Sequence, residues 1–180
     1  MNTSRYSAVA IGFHWLLALL IVAAFGVGLY MTDLPLSPGR LKLYNYHKWA
    51  GMTILALSAL RLLWRLTHAA PALPLTMPAW QQRASHYAHV ALYVLFFGVP
   101  LLGWAYSSAA GFPVVWFGVL QLPDFVPKDR ELAEAIKPLH GIAAEVLAAI
   151  VVVHVAAALK HHFVDRDGVL GRMLPFVSRS

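Results

Sequence analysis

The chain has 180 residues, 59% hydrophobic and only 12% charged, with a mean hydropathy of +0.63. Soluble domains carry about 25% charge, so a soluble enzyme or nucleic-acid-binding domain is excluded and an integral membrane protein is expected. The net charge of +6 fits basic flanks of membrane helices and anionic lipid rather than nucleic acid. The absence of cysteine excludes disulfides, iron–sulfur clusters and thiol chemistry.

Four apolar segments reach the roughly 20 residues needed to cross a bilayer. The first runs from Ala8 to Tyr30; it is too long for a secretory signal core and shows no clear cleavage site, so it reads as a retained helix. The second runs from about Leu43 to Leu66, with an earlier start suggested by Ser37-Pro38, an N-cap followed by proline at the first helical position. The third covers about Ser85 to Tyr106, with Pro100 inside it, and the fourth about Pro138 to Phe163. Of the connections, 107–137 is the longest. Its first half, GFPVVWFGVLQLP, is too apolar for a free loop and too short to span, so it reads as an interfacial or re-entrant cap. Its second half, KDRELAEAIK, reads as an amphipathic lead-in to the fourth helix.

Lysine and arginine set the expected orientation. Eight (Arg5, Arg61, Arg65, Arg83, Lys160, Arg166, Arg172, Arg179) lie on the side of the termini, and six (Arg40, Lys42, Lys48, Lys128, Arg130, Lys137) lie opposite. Both termini of this multi-pass protein are therefore expected in the cytoplasm.

Nine histidines is an unusual number for such a chain. His140 and His154 are fourteen residues apart, which is about 1400° of helical rotation and roughly 21 Å of rise. They share one helix face near opposite membrane surfaces. His14 lies at the depth of His154, and His47 at the depth of His140. Polar side chains at such positions indicate function, and two pairs at matched depths suggest two stacked haems, each iron clamped by two imidazoles. Small residues beside them (Gly12, Gly51, Gly141, Ala143, Ala144) leave room for a porphyrin or for close helix packing. A hydrolytic zinc site would instead want three ligands at one depth with an open position.

The other titratable residues carry alternative readings. His89, at the start of the third helix with His86, lies at a depth that makes it a rival to His14. His161 and His162 end the fourth helix and are candidates to hold a quinone carbonyl or shuttle its proton; a snorkelling helix rim is the alternative. His68 reads as interfacial. Arg61 and Arg65 are either partners for haem propionates or membrane-anchoring charges. Glu145, the one carboxylate deep in a helix, reads as a structural residue before a proton relay. The tryptophans read as an interfacial belt.

The chain resembles the bacterial cytochrome b561 family over nearly its whole length. The resemblance rests on His14-Trp15, on His47 with Gly51, and on His89-x-x-x-Tyr93 followed by Pro100 and Gly103. The apolar WFG segment comes next, then His140, His154 and the final His161-His162. It implies an all-α transmembrane four-helix bundle holding two haem b groups, with iron ligation by His14, His47, His140 and His154. Third-helix histidines are not usual ligands in this family, which counts against His89. The two extra helices of the eukaryotic ascorbate-reducing branch are missing, so that activity is not implied. Compact bacterial members are similar to superoxide oxidases, which pass an electron from periplasmic superoxide to ubiquinone. On that reading Arg40, Lys48 and Lys137, together with Lys42, are candidates for an electropositive superoxide mouth, although five carboxylates (Asp33, Asp124, Asp129, Glu131, Glu134) share that side. The rival reading is a cytochrome b anchor subunit, carrying electrons between quinone and a separate periplasmic redox protein docked on the 107–137 connection. A third is a bundle without haem whose histidines are structural.

Overall fold

The computed structural model describes residues 5–74 and 77–174. Four long helices follow one another, α1 (Ala8–Asp33), α2 (Pro38–Thr67), α3 (Ala79–Ala109) and α4 (Arg130–Lys160). All four are long and apolar enough to cross a membrane. Close backbone packing runs α1 to α2, α2 to α3 and α3 to α4, the arrangement of an up-and-down bundle.

Local chemistry sets the helix ends. Ser7 and Ser37 cap α1 and α2, their hydroxyls accepting from the backbone N–H of Ala10 and Arg40. Pro38 occupies the start of α2, where its missing N–H costs nothing. Asp129 caps α4 by accepting from the N–H groups of Glu131 and Leu132 at 2.8 and 3.1 Å. Two boundaries differ from the sequence reading. α3 starts at Ala79 rather than Ser85, and α4 starts at Arg130 rather than Pro138. The polar lead-in is thus part of α4 itself. Pro138 sits inside that helix and removes only the bond to the carbonyl of Glu134.

The segment between α3 and α4 is a closed loop, with the Asp129 N–H donating to the Ala109 carbonyl at 2.9 Å. Its apolar half forms a small antiparallel hairpin of β1 (Val115–Trp116) and β2 (Leu120–Gln121). Phe117 and Gly118 turn it with φ of 53° and 73°; only glycine adopts such values freely. Two tryptophans fasten the hairpin to α2. Trp49 donates to the Val115 carbonyl at 2.6 Å, and Trp116 donates to the Thr53 hydroxyl at 3.2 Å.

At the opposite end the chain after α4 makes a π-helical turn (His161–Asp165) and then a short 3-10 turn (Leu170–Arg172). This tail crosses the terminal end of the bundle. Trp15 donates to the Met173 carbonyl at 2.8 Å, Arg5 donates to the Leu174 carbonyl, and Arg172 donates to the Ala72 carbonyl.

The apolar core is small and lies at mid-depth. One cluster joins Leu17, Ala24 and Ile54; another joins Leu92, Phe96 and Leu147. Leu147 is midway between His140 and His154 in sequence. Side chains such as Leu19, Val22, Val152 and Val153 point outward, as expected where lipid is the solvent.

Candidate functional site: two stacked histidine pairs

α4 contributes to both pairs. Toward the hairpin end its His140 meets His47 of α2, with ring centres 6.0 Å apart; toward the terminal end its His154 meets His14 of α1 at 6.2 Å. Neither α1 nor α2 is a close backbone neighbour of α4. The imidazoles therefore reach across space that the helices leave open.

The hairpin-end pair is held by a device used twice. His47 Nδ1 lies 3.0 Å from the Ala24 carbonyl of α1, and His140 Nδ1 lies 3.0 Å from the Val99 carbonyl of α3. Four residues after each carbonyl comes a glycine, Gly28 and Gly103, lying against the imidazole it serves. A Cβ at Gly28 would stand 3.1 Å from His47 Cε1, and one at Gly103 would stand 3.0 Å from His140 Cε1. The missing side chains let each ring slide over the helix and donate from Nδ1 to a carbonyl already inside the helical ladder. That bond fixes the tautomer and leaves Nε2 free and basic.

The terminal-end pair is built differently. An Arg61 guanidinium nitrogen lies 3.4 Å from His14 Nδ1, and its guanidinium carbon sits 5.7 Å from the centre of the Tyr93 ring. His89 also approaches His154, edge-on at 5.4 Å, while its Nδ1 lies 2.6 Å from the Ser85 carbonyl. Beside this group opens a cavity of about 790 Å³, walled in part by Arg5, Arg61, Arg65, His86, His89 and Tyr93. Among the described residues, three arginines and no carboxylate line it.

The spacing tests whether an iron fits. Two imidazoles on one metal, with bonds of about 2 Å and about 1 Å from nitrogen to ring centre, stand roughly 6 Å apart. The values of 6.0 and 6.2 Å meet this; the 5.4 Å between His89 and His154 falls short of it. The residues present fit haem with histidine on both faces, in the pairs His14–His154 and His47–His140.

The remaining candidates are scattered. Arg40 donates to the Leu34 carbonyl at 2.6 Å and to the Tyr44 hydroxyl at 3.1 Å, tied into the turn between α1 and α2. Lys48 donates to the Phe112 carbonyl at 3.0 Å, and Lys42 and Lys137 are exposed. His161 lies 2.6 Å from Asp167 and 3.2 Å from Asp165, which also pairs with Lys160. His162 is exposed, and neither it nor His161 lines the cavity. His68 stacks on Trp64 at 3.7 Å. Glu145 is on the outer face of α4. Gly12, Gly51 and Gly141 have nothing within 4 Å of a Cβ position; the glycines that lie against the paired histidines are Gly28 and Gly103. The sequence reading missed Gly28, Ala24 and Val99 because a carbonyl acceptor has no signature of its own. It also gave the tryptophans no task beyond an interfacial belt, whereas four of them tie loops and termini to the bundle.

A membrane bundle that aligns two pairs of facing imidazoles defines a class, the di-histidine membrane cytochromes. The chain matches the family described as prokaryotic cytochrome b561 over residues 5–176. It is 34% identical to cytochrome b561 homolog 2 of Escherichia coli strain K12 over 172 residues, covering 94% of this chain and 91% of the relative. It is 30% identical to cytochrome b561 homolog 1 of the same strain, covering 96% and 98%. It is 28% identical to a protein of Yersinia pestis called a probable superoxide oxidase CybB, covering 95% and 96%. The chain belongs to the prokaryotic cytochrome b561 family. It is a haem-b membrane protein of electron transport.

Proposed function

We propose that the protein carries electrons one at a time across the inner membrane through two haems b, from superoxide on the periplasmic side to ubiquinone. The observation that carries this reading is the pair of equal histidine spacings on one α4 face, 6.0 and 6.2 Å. A haem held between two such histidines would supply a one-electron store that passes electrons on without activating oxygen.

The residues divide the work. His47 and His140 would hold the haem at the hairpin end, and the excess of basic residues at the other end supports a periplasmic position for it. His14 and His154 would hold the second haem near the cytoplasm. Arg61 and Arg65 face the open cavity, where carboxylate-bearing edges of the porphyrin would pair with guanidinium. Lys48, Arg40 and Lys137 lie on the hairpin side and attract an anionic donor. Lys48 is the best placed of the three, following His47 directly and reaching toward the loop at Phe112. On the cytoplasmic side the exposed His162 is the candidate contact for a quinone carbonyl. His161, in contact with Asp167, is the candidate proton relay. Two superoxide anions each lose one electron and leave as oxygen. One ubiquinone takes both electrons with two protons and leaves as ubiquinol.

The test is stopped-flow haem spectroscopy with superoxide, with and without ubiquinone. Haem reduction near the diffusion limit, followed by reoxidation by ubiquinone, is the expected result. Haems that ignore superoxide but accept electrons from quinol would overturn the choice of donor and favour the anchor-subunit reading. The exposed Phe117, Val119 and Phe125 of the loop would then be its docking surface for a periplasmic redox protein.

A further inference from the structure

The two pairs differ in what touches the imidazole Nδ1 atoms. At the hairpin end both Nδ1 atoms meet backbone carbonyls at 3.0 Å. A carbonyl that accepts the Nδ1 proton makes Nε2 a more basic ligand, which favours the oxidised iron. At the terminal end His14 Nδ1 meets a guanidinium at 3.4 Å. A guanidinium has no acceptor and no neutral form in proteins, so it cannot strengthen the imidazole as a donor. Its fixed positive charge instead favours the state with one more electron. Arg5 and Arg65 share the cavity wall with Arg61, and among the described residues no protein carboxylate does. Lys48 follows His47 in sequence, but its ammonium donates to the Phe112 carbonyl of the loop at 3.0 Å and not to the imidazole.

We propose that Arg61 is a positioning residue for electron flow. Its charge lifts the reduction potential of the His14–His154 site above that of the His47–His140 site. An electron then leaves the hairpin-end site, which is oxidised, and enters the terminal-end site, which is reduced. The internal step from the hairpin-end site to the terminal-end site is thereby downhill, whatever the donor. The inference rests on the two-haem reading but not on superoxide or quinone.

The experiment is a spectroelectrochemical titration of the full-length protein in lipid nanodiscs, with haem content measured on every sample. Wild type is expected to hold two haems per chain and to show two one-electron waves at different potentials. Arg61→Gln should shift the upper wave downward and leave the lower wave in place, and Arg61→Lys should restore most of its position. His154→Ala should delete the upper wave. Overlapping wild-type waves, an unmoved upper wave in Arg61→Gln, or loss of the lower wave in His154→Ala would overturn the proposal. If Arg61→Gln loses haem, Arg65→Gln from the same wall is read instead and should show a smaller downward shift of the upper wave; no shift counts against the proposal. Fewer than two haems in wild type would instead sink the two-haem reading, and this inference with it.

Discussion

At the hairpin end, each imidazole is gripped by a carbonyl on a neighbouring helix and rests where a glycine has no side chain. At the terminal end, His14 faces an arginine, His89 crowds in from the side, and a wide basic cavity opens next to them. Equal ring spacings thus come from unequal surroundings. Spacing is what an iron ion demands, and it leaves the second ring nitrogen free to be set differently at each end. The hairpin end is a close-fitting cage, and the terminal end is an open, charged one.

The largest effect should come from removing a ligand. His47→Ala or His140→Ala is expected to lose the hairpin-end haem, and His14→Ala or His154→Ala the other, each leaving one haem per chain by pyridine-adduct spectroscopy. If His14→Ala kept both haems while His89→Ala lost one, the terminal-end pair would be His89–His154 and the contrast would have to be redrawn.

The glycine contacts sharpen the difference in tightness. Gly103→Ala puts a methyl group 3.0 Å from His140 Cε1. Overpacking of that kind costs about 1–3 kcal/mol, or roughly 5- to 150-fold weaker haem retention at the hairpin end. Gly26→Ala, at an exposed site with nothing within 4 Å, should leave haem content unchanged. Equal effects from both would mean that the cage is not tight.

Fold-level contacts follow at smaller scale. Trp116→Phe keeps the ring but loses the bond to Thr53, a loss of about 1 kcal/mol. The melting temperature should fall by about 2–4 °C. Ser7 caps α1 and also accepts from Trp64 at 3.3 Å, whereas Ser37 caps α2 alone. Ser7→Ala should therefore cost more than Ser37→Ala, itself about 1 kcal/mol, in the same thermal melts. The reverse order would show that the Trp64 contact does not hold the terminal end.

Much of this arrangement is visible in the residues before any fold is known. Apolar runs and helical periodicity are local properties, so the four spans and the shared face of His140 and His154 follow from counting. The true starts of α3 and α4 do not. The start of α3 follows a proline-rich connection, and the polar run before Pro138 reads as a separate lead-in until the Asp129 cap and the Ala109–Asp129 contact are seen. His161 shows a similar gap. Its position near His154 was plain, but its contact with Asp165 and Asp167 depends on a π-helical turn, which no simple periodicity announces.

By itself, the sequence determined a membrane-spanning helical protein, its absence of thiol chemistry, and the depths at which its histidines lie. These depend on composition and on rise per residue, which hold in any helix. Only the tertiary structure decided which imidazoles face each other. It also brought the Ala24 and Val99 carbonyls to His47 and His140, and the charge of Arg61 to His14. Such partners lie 23, 41 and 47 residues away in the chain. Side chains that distant meet only because the helices pack side by side, and packing is a property of the whole bundle.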